Sequence, residues 1–453
     1  MQVDPSIFKS YDIRGTYGKD LFDETAEAIG RAFVSVVKPK TVVVGRDGRL
    51  SGPALFAALV KGLTESGVDV IDIGVVSSDM YYYACAEKGL PGVMITASHN
   101  PKEYNGFKMV EKIPYFLTGD GGIKQIRELI EQDKFLPKAV KSGQVTSWNV
   151  MDGFIEKMLS LVNTKEIKPF TIIADTANGV VGPTLKKLQE KLHQLTFIPM
   201  YWEIDGNFPN HGGDPLLLEN RAELQERVVK EKADFGIAFD TDGDRFFSID
   251  SKGRFIHGDF LTAMLSEYFL KIHPKATIIY DIRASWVVPE TIEKNGGKGL
   301  YNRVGHSYIK ARMKDENAVF GGEVSGHYYF KDFYLCDGGI SSLMYLLHFL
   351  STSGKTLTQL MDEYESKYFI SGEINSEVPD VEAVLAKITK KYGKHAKEVI
   401  TIDGVTIVND DWKFNVRGSN TQPLIRLNLG ANNQALMEEK RDEVLEMIRE
   451  EGK

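Results

Sequence analysis

One pattern of apolar and polar positions occurs three times along the chain. An apolar run passes into a polar turn, and a helix-forming stretch follows. In the first copy, residues 41–44 lead into Gly45-Arg46-Asp47-Gly48-Arg49. A helix is predicted over residues 53–66, with Leu55, Leu59 and Leu63 four apart on one face. Residues 68–73 read as the next strand. In the second copy, residues 171–174 lead into Asp175-Thr176-Ala177-Asn178-Gly179, with a helix from about Pro183. In the third, residues 277–280 lead into Asp281-Ile282-Arg283-Ala284-Ser285, again with a helix behind. Strand–helix–strand order predicts a mostly parallel sheet with helices on its faces.

Each copy is followed by a further short apolar run and a loop rich in reactive groups. Residues 92–95 precede Thr96-Ala97-Ser98-His99-Asn100-Pro101. Residues 233–239 precede Asp240-Thr241-Asp242-Gly243-Asp244-Arg245, and residues 246–250 read as the strand after it. Residues 317–320 precede Gly321-Gly322-Glu323-Val324-Ser325-Gly326-His327. A repeat of roughly a hundred residues predicts three related domains. The rest of the chain lacks the phrase and ends in an amphipathic helix over residues 435–450, so it reads as a separate α+β domain. The expected fold is α/β: three related mixed α/β domains around a central cleft, plus a C-terminal α+β domain. Polar, Pro- and Gly-containing stretches place the divisions at residues 1–150, 151–254, 255–370 and 371–453.

The acidic loop sets three carboxylates at i, i+2 and i+4 between two apolar runs. Like charges that close repel unless a cation neutralises them. Oxygen-only ligands suit a hard ion, Mg²⁺ or Ca²⁺, better than zinc. An EF-hand opens with the same spacing but needs Gly at its sixth position and Glu at its twelfth, where this chain has Arg245 and Ser251. A solvated acidic turn without a ligand stays open at this point. Ser98 falls just past a strand end, where sites gather in open α/β sheets. Its hydroxyl fits a nucleophile or a phosphate carrier. The bland reading is a turn held by Ser and Asn bonding their own backbone. A serine hydrolase would need a G-x-S-x-G elbow, which Ser98 lacks.

Together these loops resemble the α-D-phosphohexomutase superfamily, in particular its bacterial and archaeal phosphomannomutase/phosphoglucomutase branch. The resemblance runs over essentially the whole chain, with four motifs in the family's order. It implies a phosphoserine at Ser98 and Mg²⁺ held by Asp240, Asp242, Asp244 and the Ser98 phosphate. It also implies hexose 1,6-bisphosphate as activator. Arg14 in Tyr11-Asp12-Ile13-Arg14-Gly15, Lys108 after the serine loop, Arg245 and His327 are expected to serve the transfer. Tyr11, His99, Arg283, His306, Glu323, Ser325 and His327 are expected to bind substrate. So are Arg417, Ser419, Asn420, Thr421 and Arg426, in a segment similar to the family's phosphate-binding loop. Gln422 stands there where Glu is usual. Val324 stands where phosphoglucosamine mutases usually carry Gln, which favours a plain hexose. The activity implied is interconversion of hexose 1-phosphate and hexose 6-phosphate, mannose or glucose, through the phosphoserine and a 1,6-bisphosphate. Phosphoglucosamine mutase and a non-catalytic sugar-phosphate binder are the alternatives.

Composition sharpens this picture only at its edges. Over 453 residues the net charge is −8, which argues against a nucleic-acid or anionic-membrane partner; small hexose phosphates are the partners that the resemblance implies. The only cysteines, Cys85 and Cys336, fit a reducing cytosol. The N-terminus does not read as a signal peptide, and no apolar stretch approaches a membrane span. A cytoplasmic monomer or homodimer is expected.

Overall fold

The computed structural model describes residues 3–418 and 424–450. The chain forms two compact units, Met1–Phe255 with His327–Gly354, and Ile256–Gly326 with Lys355–Lys453.

The repeated phrase is built the same way each time. The central strands Thr41–Arg46, Phe170–Asp175 and Thr277–Asp281 each lie between two parallel neighbours. Those neighbours are Asp69–Val75 and Gly92–Ile95 in the first copy. In the second they are Leu195–Met200 and Phe235–Phe239. In the third they are Lys298–Asn302 and Phe320–Gly322. The helices Gly52–Glu65, Gly182–Lys191 and Val287–Lys294 follow the central strands, as parallel crossovers require. The polar turn after each central strand and the loop after its neighbour therefore emerge together at the carboxyl edge of the sheet, where ligands bind in such folds.

The sheets are mixed rather than purely parallel. Tyr104–Lys112 runs antiparallel to Gly92–Ile95, and Ile13–Thr16 runs antiparallel to Tyr104–Lys112. Phe246–Asp250 forms a hairpin with Phe235–Phe239, closed at the Phe239–Phe246 pair by the acidic loop. Both strands are buried throughout, which is why they read as apolar runs.

The leucine face predicted at residues 55, 59 and 63 packs with Val42 and Val44 of the sheet and with Ile29 and Phe33 of the helix Asp23–Val37. The two helices approach closely. A Cβ on Gly62 would collide with the backbone of Glu27, so only glycine fits there. The helix Gly339–Ser353 is buried nearly all round and belongs to the first unit. In the second unit, an antiparallel sheet runs in the order Phe369–Glu377, Leu424–Ala431, Trp412–Gly418, Val405–Val408, Glu398–Ile400. Phe414 and Leu427 from this sheet share a core with Ile388 of the helix Val381–Tyr392 and Val444 of the helix Gln434–Glu450.

Candidate active site

In the first unit, Ser98 sits two residues past Thr96, beyond the strand Gly92–Ile95. It is almost fully buried and has φ of +48°, the left-handed region that non-glycine residues adopt at a cost. Its Oγ donates to Asp240 Oδ2 at 2.6 Å and lies 3.1 Å from His99 Nδ1. Its amide donates to Thr96 Oγ1 at 2.9 Å.

Asp240, Asp242 and Asp244 are all buried, and each offers an oxygen within 4.8 Å of the others. Lys108 lies among them, with Nζ 2.7 Å from Asp242 Oδ2 and 2.5 Å from Asp244 Oδ2. Asp242 Oδ2 also accepts from Ser78 Oγ at 2.8 Å and Thr96 Oγ1 at 3.1 Å. Asp242 Oδ1 and Asp244 Oδ1 are buried without a hydrogen-bond partner among the described residues.

The proton balance follows from these contacts. Burial disfavours the charge on Asp242, but Lys108 outweighs it and holds the carboxyl below the usual range. Burial, then the charges of Asp242 and Asp244, push Asp240 well above it. Burial likewise opposes the charge on Lys108, yet the two aspartates raise its pKa. Lys108, with Arg245 3.9 Å from Asp240 Oδ2, does not offset three ionised carboxylates, so the cluster keeps a proton on Asp240 or takes a further cation. The two unpartnered oxygens and the all-oxygen donor set fit a divalent hard cation.

Arg245 donates its backbone N–H to Asp240 Oδ1 at 3.1 Å and its Nε to His327 Nε2 at 3.2 Å. His327 Nδ1 lies 2.8 Å from Asp337 Oδ2 and 3.7 Å from Asp244 Oδ1. These contacts fit a proton on Nδ1 directed at Asp337. Arg14 bridges Asn100 Oδ1 and Asp12 Oδ2, each at 2.6 Å. Tyr11 is half-buried just ahead of the strand that carries Arg14. The first unit therefore gathers Ser98, His99, the three aspartates, Lys108, Arg245, Arg14 and His327.

In the second unit, Glu323 is buried and accepts from the Gly305 amide at 2.9 Å. Ser325 Oγ accepts from Arg283 Nη2 at 3.2 Å. Arg283 also grips both oxygens of Asp281 and reaches Glu373 Oε2 at 3.0 Å. His306 is a buried residue at the start of the helix His306–Asp315. Arg417 and Arg426 face each other in register on the last hairpin, and Arg426 pairs with Glu373 Oε1 at 2.8 Å. Burial would raise the Glu373 pKa, but Arg283, Arg426 and Arg417 together lower it to about 2. Ser419, Asn420, Thr421 and Gln422 lie outside the described residues.

Sequence reasoning passed over several residues that hold these groups in place, namely Asp47, Arg49, Thr96 and Ser78 in the first unit and Asp281 and Glu373 in the second. One signal was available. Asp47, Asp175 and Asp281 occupy the same place in the three copies, and each is buried and accepts from the amide two residues on.

Family models for phosphoglucomutase/phosphomannomutase match along the chain. Alpha/beta/alpha domain I covers residues 5–137, domain II residues 152–253 and domain III residues 257–368, and the C-terminal domain covers residues 373–447. A phosphomannomutase of Salmonella montevideo is 37% identical over 450 residues, covering 98% of this chain and 99% of the relative. Phosphohexose mutases of Xanthomonas campestris pv. campestris (strain B100) are 37% identical over 447 residues, with 98% and 99% covered. A crystal structure of a phosphoglucomutase/phosphomannomutase family protein from Burkholderia thailandensis superimposes with a TM-score of 0.89 at 33% identity. It covers 99% of this chain and 98% of that one. The fold and these relatives define an enzyme of the phosphotransferase kind, a hexose-phosphate mutase. The chain belongs to the phosphoglucomutase/phosphomannomutase family. Among the described residues, no helix is long and apolar enough to cross a membrane.

Proposed function

We propose that this mutase interconverts hexose 1-phosphates and hexose 6-phosphates, with mannose, glucose or both as the sugar. Phosphate is carried on Ser98, and a hexose 1,6-bisphosphate is the intermediate. The observation that carries this reading is the Ser98 hydroxyl bonded to Asp240 inside a carboxylate cluster short of positive charge. Asp240, Asp242 and Asp244, with an oxygen of the Ser98 phosphate, would hold Mg²⁺, which when bound supplies charge to the phosphoryl oxygens.

The 6-hydroxyl of a hexose 1-phosphate attacks phosphorus on Ser98. The bond to Ser98 Oγ breaks, a new bond to O6 forms, and the hydroxyl proton leaves. Arg14, Lys108 and Arg245 offset the charge that spreads over the transferring group. That proton passes to the departing Ser98 Oγ, relayed by Lys108, Arg14 or His327; the two cations can only hand on one proton as they receive another. The bisphosphate then turns end over end, and its other phosphate returns to Ser98. Free hexose 1,6-bisphosphate activates by loading Ser98 directly.

Glu323 and Ser325 hold sugar hydroxyls in both orientations, and His306, His99 and Tyr11 are assigned to substrate binding as well. Arg283, Arg417 and Arg426, with Ser419, Asn420 and Thr421, hold the phosphate that does not react. The division at residues 1–150, 151–254, 255–370 and 371–453 belongs to the same proposal. It gives the phosphoserine, metal, sugar and phosphate loops one domain each, and the family-model intervals support it. A cytoplasmic monomer or homodimer belongs to the same proposal, in keeping with a sequence that has two widely separated cysteines.

A coupled assay with mannose 1-phosphate, glucose 1-phosphate and glucosamine 1-phosphate in parallel tests the substrate. It is run with Mg²⁺ and a trace of hexose 1,6-bisphosphate. Conversion of either plain hexose supports the reading, and conversion of glucosamine 1-phosphate alone overturns the sugar assignment. Ser98→Ala should keep the fold and lose turnover; near-normal activity in that variant sinks the mechanism.

A further inference from the structure

Arg49 lies in the polar turn of the first copy, and its side chain is wholly buried. A guanidinium has five N–H donors, and all five are used here. Nε donates to Asp47 Oδ2 at 3.1 Å. Nη1 donates to the carbonyls of Pro101 at 2.7 Å and Tyr104 at 2.9 Å. Nη2 donates to those of Ser98 at 2.5 Å and Asn100 at 2.7 Å. The four carbonyls span the loop from Ser98 to the start of the next strand. The face of Phe208 covers the guanidinium, with its ring centre 5.2 Å away.

Asp47 completes the frame. Its Oδ2 accepts from Thr96 Oγ1 at 2.7 Å, and Thr96 Oγ1 in turn receives the Ser98 amide. Thr241, from the acidic loop, donates to the Ser98 carbonyl at 2.6 Å. A serine held at positive φ persists only when its surroundings over-determine it, and Arg49 fixes four carbonyls of this segment, that of Ser98 among them.

The third copy shows that this use of the arginine is particular to the first. Arg283 stands at the same offset from Asp281, but its donors go to side chains: Asp281, Glu373 and Ser325. The loop backbone is held there by Asp281 itself, which accepts from the Val324 amide at 2.7 Å.

We propose that Arg49 is a positioning residue for phosphoryl transfer at Ser98: its guanidinium shapes the backbone from Ser98 to Tyr104 so that the serine hydroxyl is held on Asp240. This rests on the reading of Ser98 as the phosphate carrier. Lysine cannot substitute, because one ammonium has three donors and no planar fork.

The test compares Arg49→Lys, Arg49→Ala and Ser98→Ala with the parent full-length enzyme, using glucose 1-phosphate and glucose 1,6-bisphosphate. Both Arg49 variants should lose kcat by about 100-fold, with KM within about threefold, because a displacement near 1 Å at the reacting centre has that effect. Phosphate uptake on Ser98, followed by intact mass after mixing with glucose 1,6-bisphosphate, should slow in parallel. Millimolar guanidinium should restore part of the kcat of Arg49→Ala, and equal sodium chloride should not. A folded Arg49→Lys with kcat within threefold of the parent overturns the inference. So does a loss confined to KM, or an Arg49→Ala that guanidinium leaves unchanged. If neither Arg49 variant folds, Asp47→Asn carries the test: a roughly tenfold lower kcat is expected, and an unchanged kcat overturns the inference. Ser98→Ala separates the two readings. If it turns over, the carrier assignment fails; if it is dead while the Arg49 variants are active, only the role of Arg49 fails.

Discussion

The acidic hairpin of the first unit and the arginine cluster of the second are both buried, and among the described residues each leaves polar atoms without a hydrogen-bond partner, acceptors in the first and donors in the second. Around Asp240, Asp242 and Asp244 the cations in contact are Lys108 and Arg245, and among the described residues two carboxylate oxygens have no hydrogen-bond partner. Around Arg283, Arg417 and Arg426 the acids in contact are Asp281 and Glu373, the charges of Glu323 and Asp403 also act on Arg283 and Arg417, and among the described residues the buried Nε atoms of Arg417 and Arg426 have no hydrogen-bond partner. A buried charge left uncompensated is costly. The first region offers acceptors suited to a cation and the second donors suited to an anion, in keeping with the metal-assisted transfer proposed above. The whole-chain charge of −8 conceals both.

The largest effect should come from breaking the acidic region. Asp242→Ala removes the partner of Lys108, Ser78 and Thr96 together. Turnover should fall by at least about 10²-fold, and its Mg²⁺ dependence should disappear. A variant with normal turnover and the parent's Mg²⁺ titration would show that the acids do not hold the metal.

Breaking the basic region should cost stability as well as binding. Arg283→Met leaves Asp281 and Glu373 buried beside fewer cations, and removing one partner of such a network costs about 3–5 kcal/mol. Urea unfolding of the second unit should show that loss, and KM for glucose 1-phosphate should rise. If stability is unchanged, Asp281 and Glu373 do not depend on Arg283.

The two regions should also answer to different ligands. A ligand at a hundred times its Kd adds about 2.7 kcal/mol to the form that binds it. Mg²⁺ and inorganic phosphate should therefore each raise the melting temperature of the parent. In Asp242→Ala the Mg²⁺ shift should vanish while the phosphate shift remains. Loss of both shifts together would mean that the regions are not independent.

What was legible in the sequence was what is local in the chain. The acidic hairpin reads directly because its three carboxylates fall within five residues between two buried strands. Ser98 reads from its place after an apolar run, and the three domains from a phrase repeated in order. The residues that hold the site in place are not local. Arg49 meets the Ser98 carbonyl 49 residues on, Ser78 meets Asp242 164 residues on, and Glu373 meets Arg283 across 90. An arginine in a polar turn looks the same in sequence whether it is solvated or wrapped in four carbonyls. Burial separates the two cases, and burial of a polar residue is set by what folds over it. The helix Gly339–Ser353 escaped for a related reason: it is apolar on nearly every side, so no period marks it.

The smallest expected effect refines the acidic region. Asp79 is fully buried at the start of the helix Ser78–Lys88 and accepts hydrogen bonds from Ser77 Oγ, the Met80 amide and, at 3.4 Å, the Ile340 amide. Burial pushes its carboxyl up to about 7; these hydrogen bonds oppose that, and the charge of Asp244 adds to it. In the unfolded chain the same group titrates near 3.8. Between these values the folded protein keeps a proton that the unfolded chain has released, so stability falls as pH rises through the window and levels off above it. Asp242 and Glu373, with lowered values, contribute in the opposite sense, so the comparison must be made against a variant. Asp79→Asn removes the Asp79 contribution alone. From pH 5 to pH 7 its urea stability should gain on the parent by roughly 1–2 kcal/mol. Saturating Mg²⁺ should shrink that gain, because a cation on Asp244 cancels part of the charge that Asp79 faces. A gain equal with and without Mg²⁺ would place the metal elsewhere.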